Sequence, residues 1–422
     1  MKEPKIRFKG FSGEWVNTKF SSLAKIKRGL TYSPNHVCSQ GVRVLRSSNI
    51  DKDTFVCLKD DVFVSPECVN VPFAIEGDIL ITAANGSSRL VGKHAVIEKL
   101  KGEKVVPGGF MVLASTHEPY FLNSCMSSPW YRRFLKIGVA GGNGAIGNLN
   151  KNALEDTDFY IPGNNLERNN IASFFTFLDA QLSASTSRLA SLKQMKAASL
   201  QTMFPQEGET VPKVRFKGFE GEWKKVKFDK AFSFLKNNSL SRAELCNDGD
   251  IINIHYGDVL IKYGDILDIG NDEVVYVADS NVANKLYTDC PIVNGDIIIA
   301  DAAEDFTVGK CVEVQNVTKQ KIVSGLHTIP CRPLESTAPN FWGYYINSNS
   351  FHRQLLPMIQ GSKISSISKT SLSATYVVFP VVEEQQSIAS FFTSLDRQIT
   401  LHAQRLEKLK QIKAACLDKM FV

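Results

Sequence analysis
From residue 166 to residue 203 the chain has neither proline nor glycine, and its apolar side chains return at helical spacing. Ile171, Phe174, Phe175, Leu178, Leu182, Leu189, Leu192 and Met203 fall on one face. Such spacing predicts an amphipathic helix. The series comes back as Ile388, Phe391, Phe392, Leu395, Ile399, Leu406, Leu409 and Met420. Positions 178, 182, 185, 189, 192, 196 and 395, 399, 402, 406, 409, 413 alternate steps of four and three, a heptad seam. Pro162 and Pro380 precede the two helices, and Pro205 stops the first. Four seam positions are polar: Ser185 and His402, Lys196 and Lys413. Polar residues there set register and orientation in a paired helix.

A helix of about 35 residues is a rod roughly 50 Å long. Two equal rods packed antiparallel are the simplest arrangement, with Phe174, Leu178, Leu182, Leu189 and Leu192 against Phe391, Leu395, Ile399, Leu406 and Leu409. Separate docking of each helix on a partner subunit is the other arrangement.

Residues 20–160 and 228–380 have a different pattern. Short β-branched runs such as Val42-Arg43-Val44-Leu45 and Asp296-Ile297-Ile298-Ile299 are broken by turns. Gly-Asp before an apolar run marks a turn entering a buried strand. Helical signals are fewer, at residues 120–135 and 340–356. Each interior is therefore expected to be α+β with a substantial β core.

The repeat is the organising feature. Pro4-Lys5-Ile6-Arg7-Phe8-Lys9-Gly10-Phe11 with Glu14-Trp15 returns as Pro212-Lys213-Val214-Arg215-Phe216-Lys217-Gly218-Phe219 with Glu222-Trp223, at an offset of 208. Ile171-Ala172-Ser173-Phe174-Phe175 returns as Ile388-Ala389-Ser390-Phe391-Phe392, at an offset of 217. Met203-Phe204 answers Met420-Phe421. Between these frames little matches beyond Gly77-Asp78 with Gly295-Asp296 and Gly92-Lys93 with Gly309-Lys310. Similar frames enclose different interiors.

Composition adds bounds. At 422 residues the chain has room for two or three domains. No apolar run approaches the ~20 residues of a membrane span, and the first residues have no signal-peptide pattern. The nine cysteines are scattered without a CxxC pair, which predicts a reducing, cytoplasmic setting. Net charge is +6, but it is uneven. Residues 1–204 carry 25 Lys+Arg against 17 Asp+Glu, and residues 205–422 carry 24 against 26. A basic balance suits a polyanion, although an excess this small is equally that of an ordinary soluble protein.

No catalytic constellation is recognisable. A methyltransferase tetrapeptide and a methyl-donor loop are missing. The run from Gly86 to Lys93 mimics a phosphate loop, but it spaces its glycines by five residues, and His94 stands where Ser or Thr is required. Residues 142–147 satisfy GxGxxG without the strand and apolar helix that motif needs. The histidines and cysteines have no metal-ligand spacing. Asp78 and Asp296 suit turns before buried strands.

Residues 383–399 (EEQQSIASFFTSLDRQI), 405–413 (RLEKLKQIK) and Met420-Phe421 closely resemble the helix of type I restriction–modification specificity subunits. Arg7-Phe8-Lys9-Gly10-Phe11 with Glu14-Trp15, and its second copy, resembles the opening segment of that family's target-recognition domains. The resemblance covers essentially the whole chain. It implies a recognition domain at 1–163, a spacer helix at 164–205, a second recognition domain at 206–381 and a second helix at 382–422. It implies that each domain reads half of a split, asymmetric double-stranded DNA site. The helices would fix the spacing and dock two methyltransferase subunits, with endonuclease/translocase subunits joining that core. S-adenosylmethionine, ATP and magnesium would belong to the partners, with no cofactor or metal on this chain and no catalysis by it. A stand-alone DNA-binding or scaffold protein is the rival from another class.

DNA contacts are expected from polar loops beside the sheets, with Lys and Arg on phosphates and Arg, Asn or Gln on base edges. The first-copy candidates are Lys27, Arg28, Thr31, Tyr32, Arg46, Ser48, Asn49, Asn85, Ser87, Arg89, Asn143, Asn148 and Lys151. Those of the second copy are Lys236, Asn237, Asn238, Arg242, His255, Tyr256, Ser362, Lys363, Ser366 and Lys369. The matched loops ending at Lys151 and Lys369 are the leading phosphate candidates. Eight acidic residues crowd 244–273; they either face away from DNA or accept from cytosine amino groups.

Overall fold
The computed structural model describes residues 3–140, 147–361 and 364–422. The chain forms two compact units, residues 1–186 with 404–422, and residues 187–403. Each unit therefore takes part of both long helices, Asn165–Thr202 and Val382–Lys419. Both helices are 38 residues long, and all twelve seam positions are buried or half-buried. Where they meet they run antiparallel. In the first unit Lys413 meets Asp179 at 2.6 Å and Arg405 reaches Gln181 at 3.1 Å. In the second, Lys196 meets Asp396 at 2.6 Å and Phe204 stacks on Phe392.

The first unit is built on an antiparallel sheet in the order His94–Val96, Ile79–Thr82, Met111–Thr116, Ala24–Arg28. A second sheet runs Val105–Pro107, Val42–Leu45, Val62–Val64, Val37–Cys38, its first pair parallel. The second unit repeats both. Its main sheet runs Phe232–Phe234, Thr328–Pro333, Ile297–Ala300, Cys311–Gln315, and adds Ile266–Asp268 at the edge. Its smaller sheet runs Leu245–Cys246, Tyr276–Val277, Ile251–Ile254, Lys321–Ser324, the last pair again parallel. The interiors that diverge in sequence thus keep one strand order. Short, largely apolar runs buried at every position preserve it, because a strand buried on both faces asks only for apolar bulk.

The frames are held by matched contacts. Arg7 forms a bidentate pair with Glu167 at 2.7 and 2.9 Å, and Arg215 with Glu384 at 2.7 and 2.8 Å. Each arginine also donates to a glycine carbonyl six residues on, Gly13 or Gly221, at 2.6 Å. Both glutamates lie in the first turn of a long helix, where the exposed amide ends favour an anion. Ile6 N donates to Lys419 O and Val214 N to Thr202 O, both at 2.9 Å. Trp15 sits edge-on to Phe421, and Trp223 edge-on to Phe204. The end of the second helix therefore closes the first unit, and the end of the first helix closes the second.

The seam lysines bridge helix and domain in the same repeated way. Lys196 joins Asp396 to Asp265, and Lys413 joins Asp179 to Asp53. Burial alone would lower the Lys196 ammonium, but Asp265 and Asp396 outweigh it and hold it above its ordinary value. Ser185 is buried, and His402 has a buried Nδ1 without a hydrogen-bond partner.

The expected helical stretches are each broken once, into Pro119–Met126 and Pro129–Gly138, and into Phe341–Ile346 and Asn349–His352. No helix among the described residues is long and apolar enough to cross a membrane, and none of their His, Cys, Asp and Glu groups is arranged to hold a metal ion.

Candidate nucleic-acid interface
In the first unit three loops are clipped together by backbone hydrogen bonds. Leu30 N donates to Pro107 O at 2.7 Å, and Gly108 N to Leu45 O at 2.8 Å. Glycine is required at the crossing, since a Cβ at Gly29 would fall 1.8 Å from Gly108 O. The clip brings Thr31, Tyr32, Arg46 and Asn85 around one cleft of about 560 Å³, floored by Leu30, Val44 and Met111. The strand Ala84–Asn85 fixes the far wall by pairing with Gly147–Leu149. Asn85 Nδ2 donates to Ser47 Oγ at 3.2 Å across the cleft. Phe110 stands at the rim, 65% exposed.

The second unit repeats the clip. Asn238 N donates to Ser324 O, and Gly325 N to Ile254 O, both at 2.9 Å. Arg46 follows the clipped strand Val42–Leu45 as His255 follows Ile251–Ile254. Phe110 O accepts from Ala83 N as His327 O accepts from Asp301 N. At the rim one scaffold thus carries Phe110 in the first unit and His327 in the second. His327 Nδ1 lies 3.2 Å from the Asp301 carboxylate, and its ring meets Tyr256 edge-on. Burial pushes the Asp301 carboxyl up from its ordinary value and the His255 imidazole down.

Several sequence candidates turn out to be structural. Asn49 is completely buried: its Oδ1 accepts from Arg46 N, and its Nδ2 donates to Val56 O and Asp61. Its carboxamide is spent on folding the loop that carries Arg46. Asn238 is buried with Nδ2 on Asn253 Oδ1 at 2.7 Å. His255 is buried, and its Nδ1 accepts from Gly257 N, capping a short helix. These polar side chains satisfy buried backbone and side-chain partners, which a sequence does not distinguish from reading groups. Lys27 and Arg28 lie in the edge strand Ala24–Arg28 instead of a loop.

Other candidates are accessible. Thr31, Ser48, Ser87, Arg89, Asn148, Lys236 and Asn237 are exposed, while Tyr32, Tyr256 and Ser366 are half-buried. Arg242 is exposed but pairs with Asp258 at 2.5 Å. Lys151 and Lys369 open short helices at matching places. Lys151 pairs with Glu155 at 3.6 Å, whereas exposed Lys369 donates to Leu235 O and keeps its charge. Asn143, Ser362 and Lys363 lie outside the described residues.

The acidic stretch of the second unit is largely internal wiring. Asp258 holds Arg242, Asp265 holds Lys196, and Asp268 and Asp272 bond within their own turn. The phosphate-loop mimic is likewise accounted for: Lys93 Nζ donates to Ile50 O, and Lys310 Nζ to Leu260 O and Tyr263 O. Sequence reasoning missed Phe110 and His327. Phe110 follows Gly108-Gly109, so an aromatic after a glycine pair was the available signal.

Residues 220–411 match the family model described as the type I restriction modification DNA specificity domain. That match covers most of the second copy of the repeat, including both sides of its clip. Over those residues the chain is similar to type I specificity subunits. It is 22% identical over 427 residues to the type I restriction enzyme EcoKI specificity subunit of Escherichia coli (strain K12), across 94% of this chain and 87% of that one. Its fold is that of the crystal structure of a type I restriction–modification S subunit from M. genitalium, with a TM-score of 0.57 and 14% identity, over 100% of this chain and 99% of that one. The family is the non-catalytic, DNA-recognising component of its systems.

Proposed function
We propose that this chain is a specificity subunit that reads a bipartite, asymmetric site in double-stranded DNA, one half with each unit. The long helices set the spacing of the halves and dock two methyltransferase subunits, and endonuclease/translocase subunits join through that core. The chain supplies the address and no chemistry; S-adenosylmethionine, ATP and magnesium are held by the partners. One observation carries the reading. The loop clip is repeated bond for bond, but the exposed group at its rim differs, Phe110 in one unit against His327 in the other. A palindrome would need the same groups twice, whereas two different half-sites need one scaffold with different ends.

Sequencing the methylome of a host carrying this chain and its methyltransferase tests the proposal. The expected motif has two unlike parts separated by an unspecified gap. A continuous or palindromic motif, or methylation without a motif, rejects it.

A further inference from the structure
Phe110 is an apolar side chain for which the fold has no evident need. It is 65% exposed, yet its backbone is pinned, because its carbonyl accepts from both Ala83 N at 2.8 Å and Ala84 N at 3.0 Å. The ring thus stands on a rigid rim instead of a loose turn. Beside it, Arg46 carries a second anomaly: its Nε is buried and has no hydrogen-bond partner. The rest of that guanidinium is held through Nη2, which donates to Asp60 O at 3.2 Å and lies 4.0 Å from the Asp61 carboxylate. An apolar ring and a guanidinium side chain 41% exposed at one cleft describe what should occupy it, a surface with an apolar projection next to an acceptor.

In the major groove of DNA the one apolar projection on a base-pair edge is the thymine 5-methyl group, while guanine and adenine N7 and guanine O6 are acceptors. We propose that Phe110 is a specificity-determining residue of the first unit, packing on a thymine methyl, with Arg46 beside it on a neighbouring purine. This rests on the reading of the chain as a two-part DNA reader. The second unit has His327 at the corresponding rim, with no ring of Phe110's apolar kind, so the methyl contact belongs to one half-site only.

The test uses the full chain assembled with its methyltransferase subunits, and duplexes carrying the motif found by methylome sequencing. Each thymine is replaced singly by deoxyuridine, which removes only the methyl. In the wild type, one replacement, in one half-site, weakens binding about fourfold, the worth of one buried methyl-sized group. Phe110→Ala weakens binding to the parent duplex, and the same replacement then has no further effect. His327→Ala leaves the fourfold effect in place. Unfolding profiles of Phe110→Ala should match the wild type, since the ring is exposed.

The proposal is overturned if Phe110→Ala keeps the deoxyuridine penalty, if no deoxyuridine matters to the wild type, or if neither half-site contains a thymine. A ring that wedges between base steps gives the second of these outcomes. A complex without any preferred duplex instead refutes the two-part reading itself.

Discussion
The two units solve the same folding problem with the same frame and then part company at the loops. Arg7–Glu167 and Arg215–Glu384 agree within 0.1 Å, and the lysine bridges and the Trp–Phe closures recur in kind. The rims agree only in backbone. The difference teaches where constraint lies. A frame contact is a buried charge or ring with one acceptable partner, whereas a rim side chain faces outward and can change without unfolding anything. Frame substitutions should therefore act on stability, and rim substitutions on recognition alone.

The hardest test of that division is the buried ion pair. Arg7→Ala leaves Glu167, and Arg215→Ala leaves Glu384, as a carboxylate with 1% exposure and no cation. Breaking such a pair costs about 3 kcal/mol or more. Urea unfolding of the two variants should give equal losses, because the geometry is equal. Unequal losses would show that the frames are alike in shape but not in energy.

The lysine bridges should differ instead. Lys196 has Asp265 at 2.7 Å and Asp396 at 2.6 Å, with the carboxylates 15% and 34% exposed. Lys413 has Asp179 at 2.6 Å and Asp53 only at 3.9 Å, 40% and 53% exposed. Solvent screens the second set more. Lys196→Met should cost about 2 kcal/mol and Lys413→Met less than about 1 kcal/mol, measured by denaturant midpoints. The reverse order would mean that burial does not rank these bridges.

The frame was legible in the sequence because its signals are periodic and repeated. The seam, the prolines beside it and the matched opening segments all predicted what is found. The polar seam residues Lys196 and Lys413 were visible as exceptions, but their aspartates were not, since Asp265 and Asp53 lie far away in sequence. The site was legible in part. Thr31, Tyr32, Arg46 and Asn85 do converge on one cleft. That Asn49, Asn238 and His255 are buried and hydrogen-bonded inside the fold was not legible, because a buried polar side chain and an exposed one are the same letter. Phe110 was overlooked because an exposed phenylalanine contradicts the rule by which aromatic residues are assigned to cores.

An effect smaller than that of the buried ion pairs concerns a position where the cores themselves differ. Val96 pairs with Ile79 in the first unit's main sheet, and Glu313 pairs with Ile297 at the corresponding place in the second. Glu313 is almost fully buried and accepts from Asn340 N at 2.6 Å and Gly343 N at 2.9 Å. Burial dominates over these donors and raises its carboxyl from the ordinary value to about 7. The folded chain therefore holds a proton there that the unfolded chain, titrating near 4.3, has released. Between those values the folded state binds more protons, so stability is greatest at low pH and falls as pH rises through 7. From pH 6 to pH 8 the loss should be about 1 kcal/mol. Glu313→Gln removes the titration, so the stability difference between wild type and variant should shift by that amount across the window, read from urea unfolding at each pH. The same comparison with Val96→Ala, where nothing titrates, should be flat. A flat line for Glu313→Gln as well would show that burial does not bring this carboxyl's titration into the window.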